Sequence, residues 1–269
     1  MLKRLLITGA GGKLGSMLRS MLRGRLGHVA EIIRLSDVVD LGSPASHEEL
    51  VRCALEDEQA VHDLVRGCDG IVHLGGVSVE RAFDPIESAN LRGVYNLYEA
   101  ARLNGMPRIL FASSNHTIGY YPQGKQLAPD TPFLPDGLYG VSKIFGEAMA
   151  SLYHSKFGQE TAIVRIGSCE EKPSNWRMLS TWLSYGDFVS LIEATFCVPK
   201  LGCPVIWGVS ANDDSWWDNS HVDFLCWQRR DNAARYRAEI ERDVPRPDPE
   251  AAIAKYQGGV FIDEPIHRT

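Results

Sequence analysis

The sequence predicts an α/β fold built on a doubly wound parallel sheet, followed by a small lobe at the C-terminal end. Short apolar segments alternate with longer segments whose apolar residues recur at helical spacing. A glycine-rich turn joins the first apolar segment to the first helical one. Strands that are apolar throughout are typical of a parallel sheet covered by helices on both faces.

The strands of this sheet are predicted where short apolar runs end in small or polar residues. They cover residues 3–8, 31–35, 70–74, 108–112 and 161–166. The helices between them are predicted over residues 13–26, through an apolar pattern at 60–65, over 85–103 and over 138–157. The alternation of strand and helix therefore continues to residue 166.

A T-G-x-x-G-x-x-G motif at residues 8–15 lies between the first predicted strand and the first predicted helix. Gly9 permits the tight turn, Gly12 lets backbone N–H groups approach a pyrophosphate, and Gly15 lets the helix pack closely on the strand. The positive end of the helix dipole then faces the phosphates. A structural turn alone would also use these glycines, but their position between strand and helix favours a dinucleotide site.

Asp37 lies at the end of the second predicted strand, where an acidic residue accepts hydrogen bonds from the adenosine ribose. Its charge would repel a 2′-phosphate, so we predict NAD rather than NADP; a loop aspartate that only starts a turn is the alternative. Small residues at 75–78 let the chain pass beneath the cofactor, or form a simple turn. The predicted cofactor residues are Gly9, Gly12, Lys13, Leu14, Gly15, Asp37, Leu55, Leu74, Gly75, Gly76 and Lys143.

Tyr139 and Lys143 are spaced i,i+4 at the start of the helix predicted over 138–157, which places both on one face. A lysine ammonium favours a nearby phenolate, so Tyr139 is predicted to act as a base near neutral pH. Lys143 can also hold the nicotinamide ribose. Ser114, just past the fourth predicted strand, is expected at the carboxyl edge of the sheet, where it orients the substrate oxygen. For an isolated Tyr-x-x-x-Lys pair, packing and a solvated charge would be the alternative.

The pattern loosens after residue 166 into loops rich in Trp, Asp, Asn and Pro, with one helix near 187–195 and one strand at 204–207. A chain of 269 residues is long enough to bury one such core. We predict a single domain over residues 1–269. Residues 1–166 mainly bind the cofactor, and residues 167–269 mainly face the substrate.

Composition excludes several classes of protein. The formal charge of -6 and the scattered arginines disfavour nucleic-acid binding. The first apolar run is too short for a signal peptide and no run is long enough to span a membrane, so a cytoplasmic protein is expected. The 6 cysteines and 8 histidines form no C-x-x-C or H-E-x-x-H pattern, so we predict no metal.

Four motifs together resemble the short-chain dehydrogenase/reductase family, in its extended branch. In chain order they are the glycine motif at 8–15, an N-x-x-G-x-x-N-L-x-E-A-A segment at 90–101, Ser113–Ser114 and the Tyr139/Lys143 pair. The resemblance covers about residues 1 to 170. It implies a Rossmann fold and an NAD-dependent oxidoreductase.

Longer stretches are similar to the uronate dehydrogenase family, almost from end to end. They are residues 70–79, 111–122, 136–143, 164–168 and 216–221. This resemblance implies NAD-dependent oxidation of C1 of cyclic D-glucuronate or D-galacturonate to an aldarolactone. A cyclic hemiacetal carbon carries both O–H and C–H, so loss of H⁺ and H⁻ gives the lactone without metal, added water or covalent nucleophile. Tyr139 would be the base, Ser114 its partner at the substrate oxygen, and Lys143 the tuning cation.

The same resemblance implies contacts to the sugar acid and a homo-oligomer. Arg177 lies on a segment, 174–177, that is similar to the family's carboxylate-binding region, and a guanidinium holds a carboxylate bidentately. A surface salt bridge is the alternative for Arg177, and a structural role is the alternative for His116. The implied substrate residues are Ser78, Ser114, Asn115, His116, Tyr139, Ser168 and Arg177.

Residues 53–55, Cys-Ala-Leu, depart from the extended-branch pattern. That branch commonly has an Asp-Leu pair here, whose aspartate bonds the adenine amino group. Its loss costs about 0.5 to 1.5 kcal/mol, while the phosphate and ribose contacts remain. We therefore expect the cofactor to bind despite Ala54.

Three other functions stay open at this point. A sugar-nucleotide epimerase or dehydratase shares the cofactor fold and the Tyr/Lys pair, but it needs a larger C-terminal lobe than the roughly 100 residues that follow the fifth predicted strand. A non-catalytic NAD-binding module would not need the Ser/Tyr/Lys set. A third possibility is that Cys169 oxidises an open-chain aldehyde through a thioester, although no activating base is evident. Glucuronate and galacturonate, which differ at C4, both stay open as substrates.

Overall fold

The computed structural model describes residues 1–23 and 29–267, and nine strands account for its sheets. They are β1 Leu2–Thr8, β2 Ala30–Asp37, β3 Glu48–Arg52, β4 Gly70–His73, β5 Arg108–Ser114, β6 Thr161–Ile166, β7 Ser168–Glu170, β8 Trp182–Ser184 and β9 Val205–Gly208. Seven form one sheet in the order β3-β2-β1-β4-β5-β6-β9, with every neighbouring pair parallel. β7 and β8 form a separate two-stranded parallel ribbon.

The α-helices of the described chain are α1 Lys13–Arg23, α2 Glu58–Val65, α3 Phe83–Ile86, α4 Gly93–Leu103, α5 Leu138–Phe157, α6 Met178–Thr181, α7 Tyr185–Cys197, α8 Arg237–Asp243 and α9 Ala252–Lys255. A π-helix covers Glu87–Arg92, and 3₁₀ helices cover Asn115–Ile118, Ser220–Leu225, Ala233–Tyr236 and Gly259–Asp263. No helix in the described ranges is long and apolar enough to cross a membrane.

Two apolar clusters fill the space between the sheet and its helices. On one face, Leu18 of α1 and Phe188 of α7 pack with strand residues. On the other face, α2, α4 and α5 contribute Val61, Leu97 and Ala150. Helices thus cover both faces of a parallel sheet, which confirms the predicted doubly wound fold. The bounds of α5 and β6 coincide with the predicted ones, whereas residues 24–26 of the first predicted helix lie outside the described residues.

β3 is a strand that the apolar pattern does not predict, because its sequence EELVR begins with two acidic residues. It lies at one edge of the sheet, where charged side chains are common. Glu48 pairs with Arg19 at 2.8 Å, and Glu49 pairs with Arg4 at 2.9 Å and Arg34 at 2.7 Å. Ion pairs to neighbouring elements therefore accompany the partial burial of Leu50 and Val51 at this edge.

The single helix predicted over 85–103 is wrong in detail. The helix begins at Phe83 and its turns widen into the π-helix before α4 continues. The wider turns carry the buried Asn90, whose Nδ2 donates to the Val77 carbonyl at 2.9 Å and to Ser142 Oγ at 2.8 Å. The Val77 N–H donates back to Asn90 Oδ1 at 2.7 Å. Asn90 thus connects the loop after β4 to α5, and a π turn at such a place is typical of functional sites.

Residues after 166 contribute to the main sheet as well as to the lobe. β9 pairs with β6 from Ile163↔Val205 to Ile166↔Gly208, and α7 packs on one face of the sheet. The rest of the segment includes the β7–β8 ribbon and α6, α8 and α9. The strand predicted at 204–207 therefore belongs to the sheet and not to a separate substrate lobe.

Candidate active site

A cleft of about 660 Å³ lies at the carboxyl ends of the central strands. Parallel sheets of this topology place ligands at that edge. The predicted cofactor residues that line it are Gly9, Gly12, Lys13, Leu14, Gly15, Asp37, Leu55, Leu74, Gly75, Gly76 and Lys143. The predicted substrate residues Ser78, Ser114, His116 and Tyr139 line the same cleft. The structure thus brings all the predicted cofactor residues and four of the seven predicted substrate residues into one cavity, whereas Asn115, Ser168 and Arg177 do not line it.

The glycine-rich loop packs too closely for side chains at two of its glycines. A Cβ on Gly9, where φ is +70°, would lie 2.7 Å from the backbone nitrogen of Gly75. A Cβ on Gly15 would lie 2.2 Å from the Gly9 carbonyl oxygen. The backbone between β1 and α1 therefore forms a bare cradle at the helix N-terminus, which is the geometry that holds a pyrophosphate. These residues fit a dinucleotide cofactor.

The Asp37 carboxylate is held in the cleft by backbone donors. It accepts hydrogen bonds from the N–H groups of Gly11 at 2.8 Å and Val38 at 2.7 Å, on different oxygens. Its orientation is therefore fixed before any ligand binds. A carboxylate in this position can accept further hydrogen bonds from ribose hydroxyls.

Replacing Asp37 with alanine is expected to reduce the preference for NAD over NADP by about 10- to 100-fold, because a charge-assisted contact and a repulsive charge are both removed. Steady-state kcat/KM for the two cofactors measures this ratio. Asp40→Ala is the matched control, since Asp40 is an exposed loop aspartate that accepts a hydrogen bond from the Gly42 N–H. An unchanged ratio in Asp37→Ala would contradict the assigned role.

The departure at residues 53–55 is visible in the cleft. Cys53 and Leu55 line it, and the Cys53 thiol donates to the Ala54 carbonyl at 3.4 Å. Burial raises the pKa of Cys53 to about 11, so this wall presents a neutral thiol instead of a carboxylate.

Ser114, Tyr139 and Lys143 meet where β5 ends and α5 begins. Burial raises the pKa of Tyr139 to about 12, against an opposing hydrogen bond from Ser114. Burial also lowers the pKa of Lys143 to about 8, and its Nζ lies 5.6 Å from the centre of the Tyr139 ring. The predicted lowering of the phenol pKa is therefore not found in the chain alone, because both groups are taken out of water.

The N-terminus of α5 is capped from a distant segment. Gly137, at the cap position, has no side chain to offer, and the buried Glu80 accepts hydrogen bonds from the Leu138 N–H at 3.0 Å and the Tyr139 N–H at 2.9 Å. A Cβ on Gly137 would lie 2.3 Å from a Glu80 oxygen. Glu80 therefore fixes the backbone that carries Tyr139.

Glu80→Ala is expected to lower the free energy of unfolding by about 1 to 3 kcal/mol, because two helix N–H groups lose their partner. Urea unfolding measures the change. Glu80→Gln keeps one side-chain oxygen and should lose less. Equal stability of Glu80→Ala and the wild type would contradict the capping role.

Three of the predicted substrate residues lie in a separate cluster beside this group. Arg177 Nη1 donates to Ser168 Oγ at 3.1 Å and Nε donates to the Gln257 carbonyl at 2.7 Å. With the Asn115 amide oxygen facing Arg177, Nη2 donates to it at 2.7 Å. Asn115 lies between Ser114 and His116 in the chain. Its contact with Arg177 therefore places the guanidinium near Ser114, Tyr139 and Lys143.

No anionic side chain among the described residues contacts the Arg177 guanidinium directly. Burial lowers the pKa of Arg177 to about 10, with the Asp136 charge opposing from beyond ion-pair distance. All its hydrogen-bond acceptors in the described chain are neutral. A charged guanidinium taken out of water without a counter-ion is typical of an anion-binding site.

Four residues that contribute to the site were not predicted. Glu80 caps α5, Asp136 bonds the His116 ring, Phe261 stacks on that ring, and Gln257 holds Arg177. Asp136 lies three residues before Tyr139, and this closeness in the sequence could have identified it as a candidate site residue. Gln257 and Phe261 are far from every motif in the sequence, so no pattern identifies them.

A dinucleotide-sized cleft at the carboxyl edge of a doubly wound sheet, closed at one end by Ser, Tyr and Lys, defines a Rossmann-type oxidoreductase. The model of the NAD dependent epimerase/dehydratase family matches residues 5–170. Uronate dehydrogenase from Agrobacterium fabrum is 59% identical over 267 residues, covering 99% of each chain. Uronate dehydrogenase from Pseudomonas putida is 47% identical, covering 96% of this chain and 95% of that one.

A solved structure gives the same result for the fold. A variant of uronate dehydrogenase from Agrobacterium tumefaciens, complexed with NAD, superposes with a TM-score of 0.96 at 58% identity, covering 99% of each chain. The chain therefore belongs to the NAD-dependent epimerase/dehydratase family, in its uronate dehydrogenase group. The predicted family, Rossmann fold, NAD cofactor and oxidoreductase class are confirmed.

Proposed function

We propose that this protein oxidises C1 of cyclic D-glucuronate and D-galacturonate to the aldarolactone, with Tyr139 as the general base. The observation that carries the proposal is the buried Arg177 guanidinium, whose hydrogen-bond acceptors in the described chain are all neutral and which bonds Asn115, the residue after Ser114. A substrate that fits must place an anion at Arg177 and, near Tyr139, a carbon that carries both a hydrogen and a hydroxyl group. A cyclic uronic acid carries both on one ring.

Each residue has a chemical task in this reaction. Arg177 binds the carboxylate and so orients the ring, while Ser114 donates to or accepts from the C1 oxygen. Tyr139 takes the C1 hydroxyl proton at its phenol oxygen, and the Lys143 ammonium stabilises the phenolate that must form first. Bound NAD supplies the acceptor for the hydrogen that leaves C1 with its electron pair. The cradle at Gly9–Gly15, Asp37 and the wall at Leu74–Gly76 would hold NAD.

The thioester alternative through Cys169 has little support. Cys169 does line the cleft, but burial raises the pKa of its thiol far above the physiological range. No histidine or lysine of the described chain forms a hydrogen bond with its sulfur. A protonated thiol is a poor nucleophile.

The test is to follow NADH absorbance while the protein is offered glucuronate, galacturonate, neutral hexoses and UDP-sugars. Only the two uronates should release NADH in proportion to substrate consumed. An epimerase recycles its cofactor, so turnover of a UDP-sugar without net NADH would contradict the proposal. A homo-oligomer and a cytoplasmic location stay predictions from the sequence.

A further inference from the structure

We propose that Asp136 is a positioning residue that fixes the tautomer of His116, so that Nε2 accepts a hydrogen bond from one ring hydroxyl of the substrate. The inference rests on the proposed function and deepens it, because it names how one sugar hydroxyl is recognised. It also assigns a role to a buried carboxylate that the oxidation chemistry itself does not use.

The contact between the two side chains decides which nitrogen carries the proton. His116 Nδ1 lies 2.7 Å from Asp136 Oδ2, and the Asp136 side chain is 1% exposed. Carboxylate oxygens accept hydrogen bonds, so with Asp136 Oδ2 as the acceptor the His116 Nδ1–H donates in this contact. Burial lowers the pKa of His116, which keeps the ring neutral at physiological pH despite the opposing effect of Asp136. A neutral ring with its proton on Nδ1 has its lone pair on Nε2.

The surroundings hold the pair in one arrangement. The His116 ring stacks on Phe261 with 3.8 Å between ring centres and meets the edge of Tyr139 at 5.8 Å. Asp136 Oδ2 fits against two glycines, since a Cβ on Gly119 or Gly258 would lie 1.9 Å from it. These contacts therefore favour the ring orientation in which Nδ1 faces Asp136.

The acceptor is placed where the substrate needs one. His116 lines the cleft beside Tyr139, and Nε2 forms no hydrogen bond with any described residue. The charged groups that act on the ring are Asp136, Arg177 and Glu80. Arg177 and Lys143 can only donate, so a sugar hydroxyl that donates its own proton requires an acceptor such as Nε2. A site that hydrogen-bonds a hydroxyl discriminates strongly against analogues that lack it.

The kinetic test is a double-mutant cycle. Asp136→Ala should lower kcat/KM for uronates by about 10- to 100-fold, mainly through KM, because Nε2 would lose its fixed acceptor state. His116→Gln presents a carbonyl acceptor that needs no carboxylate, so in that background Asp136→Ala should cost less than about twofold. Equal losses in both backgrounds would overturn the proposal, because they would mean that Asp136 acts only on the fold.

Substrate analogues sharpen this result. Among uronates that lack the hydroxyl at C2, C3 or C4, one should be insensitive to Asp136→Ala, because the contact is already missing. Equal sensitivity of all three would overturn the proposal.

A measurement without substrate separates this inference from the proposed function. The ¹⁵N shifts of labelled His116 should show a protonated Nδ1 and an unprotonated Nε2 in the wild-type protein, and lose that pattern in Asp136→Ala. A wild-type protein that oxidises uronates but carries its proton on Nε2 would overturn only the role of Asp136. A wild-type protein that oxidises no uronate would overturn the proposed function.

Discussion

Replacing Tyr139 with phenylalanine is expected to lower kcat for uronate oxidation by about 10²- to 10⁴-fold, because the general base is removed. The affinity for NAD should stay within about twofold, because the glycine cradle and Asp37 are unchanged. NADH formation under single-turnover conditions and NAD titration measure the two quantities separately.

The pH dependence should reveal how the phenol ionises. The pKa of Tyr139 is raised to about 12 and that of Lys143 is lowered to about 8, both by burial. Each charged form is penalised alone, but phenolate and ammonium together stabilise each other, so the two groups titrate as a pair. We expect kcat/KM to rise with pH until the pair has lost one proton. Lys143→Met removes the cation and should move that rise to higher pH.

Tyr120→Phe is the control for Tyr139→Phe, since Tyr120 is an exposed tyrosine that lies outside the cleft lining. It should keep wild-type turnover. Full activity of Tyr139→Phe would remove the base from the proposed reaction and leave Ser114 or solvent to take the proton.

The second large effect is expected at Arg177. Arg177→Ala should raise KM for glucuronate and galacturonate by about 10- to 150-fold, because a charge-assisted contact to a carboxylate contributes about 1.5 to 3 kcal/mol. Arg177→Lys keeps the charge but loses the paired N–H donors of the planar guanidinium, so its KM should lie between those of the wild type and Arg177→Ala. Initial rates over a range of uronate concentrations measure the change.

Arg177 also holds the Gln257 carbonyl, so thermal unfolding of each variant must accompany the kinetics. Arg246→Ala is the matched control, because Arg246 is an exposed arginine that stacks on Trp176, the residue before Arg177 in the chain. Wild-type KM in a stable Arg177→Ala protein would contradict the carboxylate role and with it the choice of substrate.

Local patterns predicted where β6 and α5 begin and end, and β6 is buried over almost its whole length. They did not predict which face of α5 is buried: Val141 and Leu152 of its apolar stripe are exposed, whereas Lys143 and Glu147 are buried. β3 escaped prediction because an edge strand here is stabilised by ion pairs to Arg4, Arg19 and Arg34. Its partners lie far away in the chain, so no local pattern marks it.

For the site, as for the fold, the sequence predicted the residues that belong to local motifs and missed those that depend on distant partners. The predicted cofactor residues and four predicted substrate residues line one cleft, because the ends of parallel strands share an edge, and their roles there stay predictions. Residues that act through others were missed: Glu80 reaches the helix of Tyr139 from 59 positions away, and Gln257 reaches Arg177 from 80 positions away. The phenol pKa was also misjudged, because the spacing of Tyr139 and Lys143 says nothing about how completely both are buried.

The pairing of β9 with β6 limits how the enzyme can work. The segment that contains Arg177 returns into the central sheet at β9, where four residues pair with β6. A hinge motion that separates this segment from the central sheet would break the backbone hydrogen bonds between β6 and β9. The sheet therefore ties the segment that contains Arg177 to the strand next to the one that ends at Ser114, and we expect the distance between these two residues to change little when a substrate binds.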